Sequence, residues 1–291
     1  MSPELENIEI ALLLEGVFQH SGYDFRSYAP SSIRRRIHDC VRAERVATIS
    51  ALQARVLHDS GALERFLLAL AINVTALFRD PAFYLAFRTC VVPLLSTYPF
   101  LRLWLAGCAT GEEAYSLAIL LQECGRYDHC KIYATDMNAT ALHTAEAGRF
   151  PLDAVKNYAI NYAEAGGVRT LADYYTAKDG SAMLAPKLRK NIIFAQHNLA
   201  SDSSFNEFHV ILCRNVLIYF DQKLEHRVGR LFNQSLVMFG CLCLGEQESL
   251  KFSPNEPCFE ELDPRNKIYR KTDRNCGYCI AAPKRCEPGK L

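Results

Sequence analysis

The sequence has almost no excess of either charge. Its 33 Lys and Arg face 32 Asp and Glu, a formal net charge of +1 over 291 residues. No global field therefore favours nucleic acid or a membrane surface, and electrostatic recognition must come from a local patch. Long apolar runs are missing too: none approaches the roughly 20 residues needed to cross a bilayer. The N-terminus, MSPELENIEIALLLEG, has acids where a secretory signal would have a basic region. We expect a cytoplasmic monomer with no direct membrane insertion and no nucleic-acid partner. Internal repeats and low-complexity tracts are also missing. Paired metal-ligand spacings are missing as well. Of the 12 cysteines, only Cys276, Cys279 and Cys286 cluster, and no second C-x-x-C or His-x-His follows, so no metal site is expected. Cys108, Cys213, Cys241 and Cys243 lie in apolar surroundings and read as reduced, buried small hydrophobes.

Apolar residues make up 49% of the chain, enough for a substantial core. The first 75 or so residues read as helices. LENIEIALLLEGVFQHSG is stopped by Gly22, APSSIRRRIHDCVRAERV opens on a Pro-Ser start, and GALERFLLALAINVTALF is a third helical stretch. RDPAFYLAFRTCVVPLLSTYP reads as a connecting helix ended by Pro99. From residue 101 short β-rich runs take over: LRLWLAG, KIYATD, NIIFAQHNL, HVILCRN, GCLCLGE and NKIYRK. Segments of helical length lie between several of them, at 112–124, 139–147 and 222–239. This alternation predicts an α/β fold, a mostly parallel sheet with helices on both faces. The last two runs come close together and suggest an antiparallel hairpin at one edge. Residues 151–190 are polar, tyrosine-rich and carry Gly166, Gly167 and Gly180; they read as an insertion or small subdomain. The domains expected are 1–78, helical; 79–274, α/β with the insertion; and 275–291, a flexible cysteine-containing tail.

Ligands of open parallel sheets bind at the carboxyl ends of the strands. Those ends supply Gly107-Cys-Ala-Thr-Gly111-Glu112-Glu113, then Asp136, then Asn198 and Leu199, then Arg214, Asn215 and Tyr219. The glycine loop lacks the Gly-Lys-[Ser/Thr] ending of a phosphate loop and the G-x-G-x-x-G of a dinucleotide site. Two carboxylates in the first helical turn would repel a pyrophosphate. The loop suits a ligand with close backbone approach, positive charge and no phosphate. Asp136 follows Gly111 at about the distance where an acid binds ribose hydroxyls. Ribose, cation and no phosphate together describe S-adenosylmethionine. Blander readings exist: the two glutamates as favourable charges at a helix start, and Asp136 as a helix N-cap.

NVTALFRDPAFY, WLAGCATGEEAYSLAI, IYATDMNATAL, FAQHNL, FHVILCRNVLIYFD and LGEQESL occur in one order. With SGYDFRSYAPSSIRRRI near the N-terminus, this resembles the CheR-type chemotaxis receptor methyltransferases from about residue 8 to 271. Leu77, Leu105 and Cys241 stand where that family usually has Phe, Ser and Gly, and none is expected to contact cofactor. The resemblance implies a class I (Rossmann-like) S-adenosylmethionine-dependent methyltransferase domain, mostly parallel with an antiparallel edge strand, behind a small all-α domain. It implies methyl transfer from S-adenosylmethionine, leaving S-adenosylhomocysteine, to glutamate carboxylates of chemoreceptors, the protein partners. Asn73, Thr75, Arg79, Gly107, Glu113, Asp136, Asn198, Leu199, Asn215 and Val216 are the implied cofactor residues.

Arg79 and Tyr219 are the candidates for orienting the substrate carboxylate. Their alternatives are an ion pair of Arg79 with Asp80 or Glu113, and a core position for Tyr219. In the helix expected over 31–46, Ile33, Ile37, Cys40 and Val41 share one face, and Arg34, Arg35, Arg42 and Arg45, with His38, share an adjacent arc. That arc is either a solvated face or a docking surface for acidic receptor helices. Two rival functions are a non-catalytic module that binds S-adenosylmethionine or its product and docks on a receptor, and a nucleic-acid methyltransferase. Net charge and the lack of an Asp/Asn-Pro-Pro-Tyr element weigh against the second.

Overall fold

Proline and serine begin the chain's first helix and glycine ends it. In the computed structural model, which describes residues 2–70, 75–251 and 253–272, helix α1 (Pro3–Ser21) starts at Ser2, whose hydroxyl accepts the Leu5 N–H. It stops where Gly22 turns left-handed at φ +77°, a conformation that costs glycine nothing. Helices α2 (Pro30–Ala43), α3 (Ile49–His58) and α4 (Ser60–Leu70) complete a bundle. Its core includes Leu13, Val17, Phe25, Ile37, Leu52 and Phe66. The sequence did not mark α3. Two expected helices are shorter than their apolar patterns. Helix α4 is described to Leu70, residues 71–74 lie outside the described residues, and Phe78, expected inside the same helix, is left-handed at φ +53°, as is Asp80 at +58°. Tertiary bonds take over there: Phe78 N–H donates to the Ser116 hydroxyl at 2.8 Å, and Asn161 Nδ2 donates to the Leu77 carbonyl. Helix α2 ends at Ala43, so Arg45, left-handed at φ +54°, lies off the expected 31–46 helix.

The connecting segment is α5 (Pro81–Ala86), a π turn (Phe87–Val91) and α6 (Val92–Leu95). Pro93 has no N–H to continue a regular ladder, and the widened turn absorbs the break just before it. Then come β1 (Leu101–Ala106), α7 (Glu112–Glu123), β2 (Cys130–Asp136) and α8 (Ala139–Ala147). A small three-stranded antiparallel sheet of β3 (Arg149–Pro151), β4 (Tyr175–Lys178) and β5 (Ser181–Leu184) follows, with α9 (Val155–Glu164) inside it. It occupies the stretch read as an insertion. The main sheet resumes with β6 (Ile192–Gln196), β7 (Phe208–Cys213), α10 (Gln222–Ser235), β8 (Leu236–Leu244), β9 (Phe259–Asp263) and β10 (Ile268–Lys271).

Strand order is β6-β2-β1-β7-β8-β10-β9. The first five are parallel and β10 runs against both neighbours. The fold class is therefore the expected one, with the antiparallel strand one place in from the edge. Strand β9, which the sequence did not mark, lies outside it, so the hairpin joins β9 to β10 rather than β8 to β10. Side chains of β1 alternate between two cores, as strand geometry requires. Leu103 and Leu105 pack with α7 on one face. Trp104 and Ala106 pack with α10 on the other. Trp104 is fully buried, and its indole N–H donates to Thr135 Oγ1 at 2.8 Å. Cys108, Cys213, Cys241 and Cys243 are buried free thiols, whereas Cys258 is disulfide-bonded. Cys276, Cys279 and Cys286 lie outside the described residues.

Candidate functional site

The carboxyl ends of β1, β2, β6 and β7 surround a cleft of about 940 Å³, counting its open mouth. Thr75, Arg79, Gly107, Glu113 and Asp136 line it, as do Asn198, Leu199, Asn215, Val216 and Tyr219. Residues far apart in sequence are thus brought together as the strand ends predict. Asn73 lies outside the described residues.

Gly107 sits at φ +83°, and a Cβ there would stand 2.5 Å from Val216 Cγ2. Only glycine lets β1 turn this close to the loop after β7. The next turn is tied to β2, because Ala109 N–H donates to Asp136 Oδ2 at 2.9 Å. Asn138 N–H donates to Asp136 Oδ1, also at 2.9 Å. Asp136 is not the N-cap of α8: Asn138 is, accepting from Thr140 and Ala141. Burial pushes the Asp136 carboxyl up and its backbone hydrogen bonds oppose this. A carboxylate can accept about four hydrogen bonds, so Asp136 keeps acceptor capacity for a hydroxyl in the cleft. Asn198 Oδ1 accepts the Ala200 N–H at 2.9 Å, which orients the amide on the cleft wall.

The two glutamates of the loop part company. Glu112 is buried away from the cleft, and its Oε2 accepts the Thr110 hydroxyl at 2.6 Å. Glu113 lines the cleft and pairs with Arg214 at 2.8 Å. Arg214 was visible at a strand end but not singled out as a site residue. Its guanidinium is 3% exposed, pairs with Asp80 at 2.8 Å and lies 4.0 Å over the Phe83 ring. Burial disfavours its charge, but Glu113, Tyr84 and Asp80 outweigh burial and the pKa is raised. Asp80 and Glu113, the partners considered for Arg79, both pair with Arg214, which also donates two long bonds, each 3.4 Å, to the Arg79 carbonyl. Arg214 thereby holds the left-handed turn that carries Arg79. Of the two carboxylates around this guanidinium, Glu113 lines the cleft, where it can face a cationic ligand.

The helical bundle closes the other side. Tyr28 and Phe220 form an antiparallel bridge, Ala29 N–H donates to the Tyr219 carbonyl at 2.8 Å, and Asp221 N–H donates to the Ser27 carbonyl at 2.9 Å. Tyr28 thereby reaches the cleft, and its hydroxyl lies 3.4 Å from Met137 Sδ. Nothing local in the sequence marks Tyr28, because its partner is a loop of the other domain. Tyr219 is half-buried on the cleft wall, with the Arg36 guanidinium 5.7 Å from its ring centroid. Arg36 was also not singled out; burial lowers its pKa. Of the docking candidates, Arg34 pairs with Glu6 at 3.4 Å and Arg42 with Asp39. Arg35 is exposed with no ion pair among the described residues. The arc is less free of acids than the helix alone implied, because Glu6 arrives from α1.

Two family profiles match the chain: "CheR methyltransferase, all-alpha domain" over residues 8–71 and "CheR methyltransferase, SAM binding domain" over residues 73–265. The Pseudomonas putida protein named Cher3 is 47% identical over 266 residues, 91% of this chain and 97% of the relative. The chemotaxis protein methyltransferase of Listeria monocytogenes is 29% identical over 252 residues, 86% of this chain and 93% of the relative. Among solved structures, the N-methyltransferase NodS from Bradyrhizobium japonicum, in complex with S-adenosyl-L-homocysteine, gives a TM-score of 0.35 at 16% identity, covering 67% of this chain and 70% of that one.

Proposed function

The chain belongs to the CheR methyltransferase family, whose cofactor is S-adenosylmethionine, and on that premise we propose that it methylates glutamate side-chain carboxylates of chemoreceptors. The cleft fits this cofactor: glycine allows close backbone approach, the Glu113 carboxylate suits its cations, and no lysine among the described residues lines the cleft to meet a phosphate. Glu113 would meet the amino-acid end, Asp136 the ribose, Asn198 and Leu199 the adenine side, and Asn215 and Val216 the methionine portion. Thr75 and Arg79 would reach in from the interdomain turn.

Bound, the cofactor supplies an electrophilic methyl group on a positively charged sulfur. A glutamate substrate is already ionised near neutral pH, with an ordinary pKa of about 4.3, so the protein need supply no base. The residues' work is to place the carboxylate in line and exclude water, effects that together reach roughly 7–11 kcal/mol in well-oriented reactions. Arg79 and Tyr219 would orient that carboxylate by charge and by a hydroxyl donor.

The observation that carries this reading is that Arg79 and Tyr219 line the same cleft as Glu113 and Asp136. Arg36 of the helical bundle overhangs Tyr219. The test is transfer of labelled methyl to a chemoreceptor cytoplasmic fragment, followed by mild alkali, which releases methanol from a carboxylate ester. Tyr219→Phe should keep S-adenosylhomocysteine affinity and lose most of the transfer. Alkali-stable label, or full transfer by Tyr219→Phe, would count against the reading.

A further inference from the structure

Glu248 is a buried carboxylate that none of the roles above uses. It follows β8, is 4% exposed, and has no ion pair among the described residues. Its Oε1 accepts the backbone N–H groups of Val216 and Leu217, each at 2.7 Å. Its Oε2 accepts those of Asn215 at 3.0 Å and Gly245 at 2.5 Å. Four donors fill the acceptor capacity of one carboxylate, and three of them are consecutive residues of the loop after β7. Gly245 is required by this packing: a Cβ there would stand 2.7 Å from the Asn215 nitrogen and 2.8 Å from Glu248 Oε2. Asn215 is left-handed at φ +60°, a conformation that costs a side-chain-bearing residue about 1–2 kcal/mol. The turn that follows, Leu217–Tyr219, presents Tyr219 to the cleft. Consecutive N–H groups that converge form a concavity suited to an anion, and the Glu248 carboxylate fills this one.

We propose that Glu248 is a positioning residue for the cofactor cleft. Its carboxylate gathers the 215–217 amides from behind, so that Asn215, Val216 and Tyr219 face the cleft before any ligand arrives. The inference rests on the cleft as the S-adenosylmethionine site and not on glutamate as the methyl acceptor, so a failure of the receptor assay leaves it untouched.

Glu248→Gln is the informative variant, because its amide nitrogen must face N–H donors that an oxygen now accepts. Titration calorimetry with S-adenosylhomocysteine, well below the variant's Tm, should show affinity reduced about tenfold or more. The control is Glu123→Gln, whose carboxylate joins Arg88, Tyr162 and Tyr174 away from the cleft. It should lower Tm and leave that affinity unchanged. A smaller loss in Glu248→Gln, or a matching loss in Glu123→Gln, overturns the proposal. If Glu248→Gln does not fold, hydrogen exchange on the parent decides. Protection of the 215–217 amides without ligand is expected. Exchange at solvent rates until S-adenosylhomocysteine is added would mean that the ligand, not Glu248, organises the loop.

Discussion

Glu112 and Glu113 are identical side chains one peptide bond apart, yet only one reaches the cleft. Successive positions on a helix point about 100° apart, so α7 sends Glu113 to Arg214 and Glu112 into the protein. Burial raises the Glu112 pKa. The folded state therefore holds this proton more tightly than the unfolded chain. The stability it contributes is full below the ordinary carboxylate pKa of about 4.3 and is lost as pH rises through the higher folded value. Glutamine does not titrate, so the Tm of Glu112→Gln relative to the parent should rise between about pH 4 and about pH 7. Scanning fluorimetry at both values checks this, and the reverse trend would mean that the fold favours the ionised form. Glu112→Gln should also keep S-adenosylhomocysteine affinity, whereas Glu113→Gln, which strips Arg214 of a charged partner, should weaken it about tenfold by calorimetry. The pair of acids was legible in sequence, but the direction each takes was not.

Helix α2 shows the same division one scale up. Its apolar face was readable from spacing, and Ile33, Ile37 and Cys40 are buried. Its charged face was readable as a pattern but not as a net charge. Glu6 comes from α1 to meet Arg34 and His38, and Asp39 meets Arg42. If this arc docks on acidic receptor helices, Arg35 is the arginine of the arc within α2 that has no ion pair among the described residues. Arg35→Glu should reduce methyl transfer to a receptor fragment several-fold and flatten its salt dependence, with S-adenosylhomocysteine affinity unchanged. Insensitivity of transfer to both the substitution and salt would remove the docking role. Arg45, beyond the end of α2, should matter less.

For the whole molecule, the decisive contact is the seam between the helical bundle and the sheet domain. Residues 27–29 pair with residues 219–221. Helix α2 begins at the next residue, Pro30. The cleft wall and the arginine arc are therefore mechanically adjacent. Ala29 has φ −54°, within proline's range, but its N–H meets the Tyr219 carbonyl at 2.8 Å, so Ala29→Pro deletes that hydrogen bond and drives its ring against the carbonyl, loosening the seam. The cost exceeds that of one hydrogen bond, about 0.5–1.5 kcal/mol. The expected result is a folded protein with S-adenosylhomocysteine affinity several-fold weaker, read by calorimetry. Unchanged affinity would mean that the seam does not support the cleft.

By itself the sequence determined the alternation of strands and helices, the glycine loop, and the acids, amides and Tyr219 at strand ends, because these follow from local periodicity and from the rule that parallel strands deliver their carboxyl ends to one side. It also pointed to the cofactor, since a loop with two acids and no lysine excludes phosphate. What only the tertiary structure decided are contacts whose partners lie far apart along the chain. These are Arg214 between Glu113 and Asp80, Tyr28 against the loop after β7, and Glu248 beneath the 215–217 amides. Each is a buried polar or aromatic group whose energy depends on what folding brings to it, and no spacing rule records a partner that arrives from another element.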